Sequence, residues 1–131
     1  MTRRKILLVD DSPTILMMEK LILANGPWDL ITAKDGEEAV LRAETQRPDL
    51  ILMDVVMPKM GGFDACKAIR AREDTQAIPI IMVTTRGEAA NVEAGWANGC
   101  SDYVTKPINA VELLAKVRSV LEDVAAVQVA S

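Results

Sequence analysis

The feature that most restricts the fold is a pattern met five times along the 131 residues: a short apolar run, a polar turn, then a segment with helical periodicity. The first run, residues 5–10, is apolar from Ile6 to Val9 and ends on Asp10. Ser12 and Pro13 follow as an N-cap and a first-turn proline, so a helix starts there. Its apolar residues are Ile15, Leu16, Met18, Leu21, Ile22 and Leu23, and Asn25-Gly26 ends it. Residues 30–33 form a second strand, and Asp35-Gly36 opens a helix through Ala39, Val40 and Ala43. Residues 50–54 form a third strand, after Pro48. Pro58 and Gly61-Gly62 make a loop before a helix carrying Phe63, Cys66, Ala68 and Ile69. Residues 79–84 are the fourth strand and 88–97 a helix, with Gly99 just beyond it. Residues 103–105 are a short fifth strand before Lys106-Pro107. Asn109 then caps a last helix, with Glu112 three residues on as a capping box. Its apolar face uses Val111, Leu114, Val117, Val120 and Leu121.

Apolar runs without alternation mark strands covered on both faces, as in a parallel sheet. Five strand–helix units with short connections predict a doubly wound α/β fold with a five-stranded parallel sheet. The units span residues 1–123 as one domain. Residues 124–131 carry no charge and read as a C-terminal tail, a frayed extension of the last helix.

In such sheets ligands bind beyond the carboxyl ends of the strands, at the switch point. Four strand ends carry polar residues: Asp10-Asp11, Asp54, Thr84-Thr85 and Lys106. Parallel strands bring these to one edge. Three carboxylates close together raise one another's pKa unless a cation intervenes, and Lys106 supplies one charge against three. A hard divalent cation complements the remainder, and Mg²⁺ takes carboxylate, carbonyl and water oxygens. Carboxylate, Mg²⁺, ammonium and hydroxyl around one point make a phosphoryl-transfer site. Singly, each residue has an ordinary reading: Asp11 or Ser12 as a cap, Asp54 as turn chemistry, Thr84 and Thr85 as strand residues, Lys106 as a surface charge. Their joint placement on one edge favours the site.

Composition narrows the chemistry further. The chain has no histidine, which excludes Ser-His-Asp and Cys-His nucleophiles and His-ligated zinc. Cys66 and Cys100 lack metal or redox spacing and read as reduced, buried thiols of a cytoplasmic protein. A net charge of −4 without a basic cluster argues against direct nucleic-acid binding, and no apolar run approaches a membrane span. The basic start has too short an apolar run behind it to be a signal peptide.

Four segments in order resemble the receiver domain of two-component response regulators. They are Val9-Asp10-Asp11-Ser12, the stretch from Met53-Asp54 through Met57-Pro58 to Gly62, Val83-Thr84, and Tyr103 through Lys106-Pro107. The resemblance covers about residues 5 to 123 and implies a flavodoxin-like sheet of strand order 2-1-3-4-5. It implies that Asp54 accepts a phosphoryl group from a phosphohistidine on a sensor histidine kinase or phosphotransfer protein. It implies Mg²⁺ held by Asp11, Asp54 and the Val56 carbonyl, with Asp10 acting through water. Lys106 would pair with Asp54 and later with a phosphoryl oxygen, beside a cis Lys106–Pro107 peptide. Thr84 would move its hydroxyl onto the phosphoryl group and Tyr103 would swing inward as space opens. The output surface for a downstream effector would be the last two helices and the fifth strand.

Departures from the pattern fall at three places. Gly61 stands where the family often has an acid, and Thr85 where a smaller residue is common. Val56 and Arg86 occupy variable positions beside the phosphoryl group, and together with Thr85 they would tune its lifetime. Three alternatives fit the residues less well. An aspartyl-phosphate hydrolase would show Asp-x-Asp, whereas Asp54 is followed by Val55-Val56. An unphosphorylated interaction module would not need the intact acid set, and flavin binding would need a different first loop. The chain's end soon after the last helix suggests a stand-alone regulator, the alternative being a receiver cut from a longer one.

Overall fold

The computed structural model describes residues 3–85 and 99–130, with the side chains of 85 and 123–130 left aside. Five parallel strands, β1 (Arg4–Val9), β2 (Trp28–Ala33), β3 (Leu50–Asp54), β4 (Ile80–Thr85) and β5 (Asp102–Lys106), pair in the order β2-β1-β3-β4-β5. The helices are α1 (Pro13–Leu23), α2 (Gly36–Gln46), α3 (Gly62–Arg70) and α4 (Ala110–Ala130). The predicted helix at 88–97, with Arg86 before it, lies outside the described residues. The last helix runs on through the segment read as a tail.

Three of the four described helices start at a side-chain cap, and α3 starts at Gly61 without one. Ser12 Oγ accepts the Ile15 N–H at 3.3 Å, Asp35 Oδ1 accepts the Glu38 N–H at 2.8 Å, and Asn109 Oδ1 accepts the Glu112 N–H at 3.0 Å. Each satisfies a backbone donor that the first helical turn leaves open. Glu112 pairs with Lys116 at 3.9 Å along the helix instead of closing the capping box.

Strand alternation sorts the core into two layers. Leu7, Val9, Ile51, Met53, Ile80, Met82 and Tyr103 face α2 and α3, which add Ala39, Ala43, Ala65, Cys66 and Ile69. Ile6, Leu8, Leu50, Leu52, Ile81 and Val104 face the other way, against Leu23 of α1 and Leu113, Val117 and Leu121 of α4.

Helix faces differ from the sequence reading in detail. In α3 the inward residue is Ala65, with Ala68 only half-buried, and in α4 Leu113 is buried while Val111 is exposed. In α1, Met18 and Leu21 face solvent, and the buried residues are Leu23 and Glu19. That helix is apolar nearly all round, so periodicity could not distinguish its inward stripe.

Candidate functional site: an acid cluster at the strand ends

The alternation that builds the second layer continues past the last apolar residues. Asp10 follows Leu8 by two positions, Asp54 follows Leu52 and Lys106 follows Val104, so all three fall on the side of the sheet that α1 and α4 cover. From β1 the chain passes to β2 on one side and then crosses back to β3 on the other side of β1, and the cluster sits at that switch point. Gly62 lets α3 start close behind it: a Cβ there would lie 2.1 Å from the Asp54 carbonyl oxygen.

The ammonium of Lys106 lies 3.1 Å from Asp54 Oδ1 and 3.4 Å from Asp10 Oδ2. Asp10 Oδ1 also accepts the Ser12 N–H at 2.9 Å, and Asp54 Oδ1 accepts the Val55 N–H at 3.0 Å. Asp10 and Asp54 are buried and Asp11 is exposed, and one carboxylate oxygen of each lies within 4.8 Å of the others. Burial first, then the Asp10 charge, raises the pKa of Asp54, and the Lys106 ion pair only partly opposes this. Burial pulls Lys106 down, but its bonds to Asp54 and Asp10 outweigh that and leave it raised. The two directions agree in meaning: the cluster is short of positive charge. Three acids offering only oxygen donors fit a hard divalent cation and do not suit soft metals.

The remaining predicted residues surround this core. Val56 follows on the loop and is 74% exposed at the rim. Thr84 is buried at the end of β4, one position beyond the level of Asp54, which pairs with Val83. Alternation places Thr84 with Met82 and Tyr103 on the α2/α3 side of the sheet. The Lys106–Pro107 peptide is cis. Tyr103 is buried, 8% exposed and packed in the α2/α3 layer. The small side chains of that layer, Ala65, Cys66 and Cys100, leave room for it. Arg86 and the Thr85 side chain lie outside the described residues. Both cysteines are buried thiols outside any disulfide, and burial pushes the Cys66 thiol up to about 11, which suits inert packing.

Sequence reasoning passed over Glu19. It is 1% exposed, and its Oε1 has no hydrogen-bond partner among the described residues. Burial, then the Asp10 charge, pushes its pKa up to about 8, with Lys106 opposing and Asp54 adding. The available signal was spacing: Leu16, Glu19 and Leu23 fall at i, i+3 and i+7, one stripe of a helix.

Residues 6–118 match the family described as the response regulator receiver domain. The alkaline phosphatase synthesis transcriptional regulatory protein PhoP of Bacillus subtilis is 41% identical over 90% of this chain and 48% of its own length. The chain spans about half the length of the first curated relatives it matches. Protein PilH of Pseudomonas aeruginosa is 37% identical over 89% of this chain and 97% of its own. Among solved structures, chemotaxis response regulator CheY4 of Vibrio cholerae superposes with a TM-score of 0.85 at 38% identity, over 92% of this chain and all of that one. The receiver domain of sensor histidine kinase PA1611 from Pseudomonas aeruginosa, solved with magnesium coordinated in its active-site cleft, gives 0.85 at 32% identity over 92% of this chain and 99% of that one.

Proposed function

The chain belongs to the response regulator receiver family of two-component systems, and we propose that it is a cytoplasmic signalling switch that accepts a phosphoryl group on Asp54. The observation that carries this reading is the cluster itself: Asp54 held by Lys106 at 3.1 Å, beside Asp10 and Asp11. Val55 N–H and the Lys106 ammonium both engage Oδ1, which leaves Oδ2 as the attacking oxygen. Oδ2 attacks the phosphorus of a phosphohistidine on a kinase or phosphotransfer protein. The P–N bond breaks, its electron pair returns to the imidazole, and an acyl phosphate forms. Asp11, Asp54 and the Val56 carbonyl would hold Mg²⁺, with Asp10 acting through water. When bound there, Mg²⁺ supplies the charge neutralisation that phosphoryl oxygens need beside carboxylates.

Lys106 then holds a phosphoryl oxygen in place of Asp54. Thr84 brings its hydroxyl to the new group, and with Tyr103 alters β5 and the helices flanking it, where a downstream protein binds. The role is regulatory: the chain receives a group and changes a surface. Val56, Thr85 and Arg86 tune the lifetime of the acyl phosphate. Exchanging Val56 and Arg86 for other polar residues changes the dephosphorylation rate, and an unchanged rate refutes that part.

Intact-protein mass spectrometry with Mg²⁺ and a small acyl-phosphate donor tests the reading. It predicts the gain of one phosphoryl group, labile to hydroxylamine and lost with chelator or in Asp54→Ala. A hydroxylamine-stable adduct, or no adduct, counts against it.

A further inference from the structure

Glu19 is a buried acid that the phosphoacceptor chemistry above leaves unused. Among the described residues, β1 and α4 pack against α1, and Trp28 of β2 donates its indole N–H to the Leu23 carbonyl at its end. From β1 the charged group toward this end is Asp10. From α4 the buried positions are Leu113, Val117 and Leu121, all apolar. Lys116 of α4 is committed to Asp102, Glu112 and the Tyr103 carbonyl, and Lys20, beside Glu19 on α1, is exposed. Asp54 from β3 and Lys106 from β5 complete the charges that act on Glu19. Its buried carboxyl is not among the oxygens gathered within 4.8 Å at the cluster, so it is not one of that ligand set.

Resting on the phosphoacceptor reading, we propose that Glu19 is a positioning residue of the pocket: a fourth acid that releases one proton when a divalent cation enters, so that cation binding strengthens with pH. The physical reason is charge balance. Three acids and one ammonium already leave negative charge in excess, and an ionised Glu19 would add more, with no donor on Oε1 among the described residues. Glu19 therefore keeps its proton at neutral pH. Two positive charges among Asp10, Asp11 and Asp54 reverse the field that Glu19 feels and favour its carboxylate. The proton passes to bulk solvent, one per cation bound, and no other bond changes. The resulting carboxylate steadies the Lys106 ammonium when the pocket is loaded.

The test is Mg²⁺ titration calorimetry on the full chain between pH 6.5 and 8.5, in two buffers of different ionisation enthalpy. Wild type, Glu19→Gln and Glu19→Leu are compared. Wild type releases up to one proton more per Mg²⁺ than either variant, and below pH 8 its Kd tightens by up to about tenfold per pH unit more than theirs. Any proton released from Asp54 is common to all three and cancels in the difference. Equal proton release in wild type and a folded variant overturns the proposal while leaving the Mg²⁺ site standing. Failure of wild type to bind Mg²⁺ at any pH removes the metal reading, and this proposal with it.

Discussion

Helices α1 and α4 pack on the same side of the sheet with different chemistry. Under the strands α4 buries Leu113, Val117 and Leu121, whereas α1 buries Glu19 together with Leu23. The first is an ordinary apolar stripe. The second sets a titratable group in low dielectric beside the acid cluster, where it costs stability and responds to whatever charge enters. Stability and function thus divide between two helices that share one face.

The comparison breaks first at its apolar half. Leu113→Ala in α4 should cost about 2–5 kcal/mol in urea unfolding, since the side chain is fully buried. Mg²⁺ affinity of the folded fraction should stay unchanged, and a large loss of affinity would erase the division between the helices.

Lys106→Met removes the positive member of a largely buried cluster and should cost about 3 kcal/mol at pH 7.5. The loss should shrink at pH 5. Asp54 is already raised, so it takes up a proton readily once its partner is gone. An equal loss at both pH values would mean that Asp54 is not the stranded charge.

Glu19→Gln sharpens the charged half. Between its ordinary 4.5 and about 8, Glu19 binds a proton when folded and none when unfolded. Its contribution to stability is therefore complete below 4.5 and is lost at about 1.4 kcal/mol per pH unit as pH rises toward 8. Urea midpoints from pH 5 to 8 should fall less steeply for Glu19→Gln than for wild type, and parallel slopes would mean that Glu19 is not held neutral. The smallest effect is Ser12→Ala, about 1 kcal/mol from the lost α1 cap, with the site's proton release unaltered.

The fold was legible because β1, β3 and β4 are built on unbroken apolar runs, a signal that survives small errors at the ends, whereas β2 and β5 are broken by Asp29, Thr32 and Thr105. Asp102 and Lys106 each extend β5 by one residue beyond the sequence reading. The site was legible for the same reason: parallel strands that end in acids and a lysine must collect them at one edge. Glu19 was not, because Met17, Met18 and Leu21 make α1 apolar on its exposed side too and hide the inward stripe. Val111 misled likewise, as an apolar residue on the solvent side of α4. The position of Tyr103 depends on the volume of residues distant in sequence, among them Cys66 and Ala65, which local pattern does not report.

The central claim is that, of three neighbouring acids, Asp54 is the one that takes the phosphoryl group. Treating the protein with Mg²⁺ and a small acyl phosphate, reducing the product with borohydride and sequencing the peptides by tandem mass spectrometry tests it directly. The account predicts a reduced aspartyl residue at position 54 alone. Reduction at Asp10 or Asp11, or at none of the three, would contradict it.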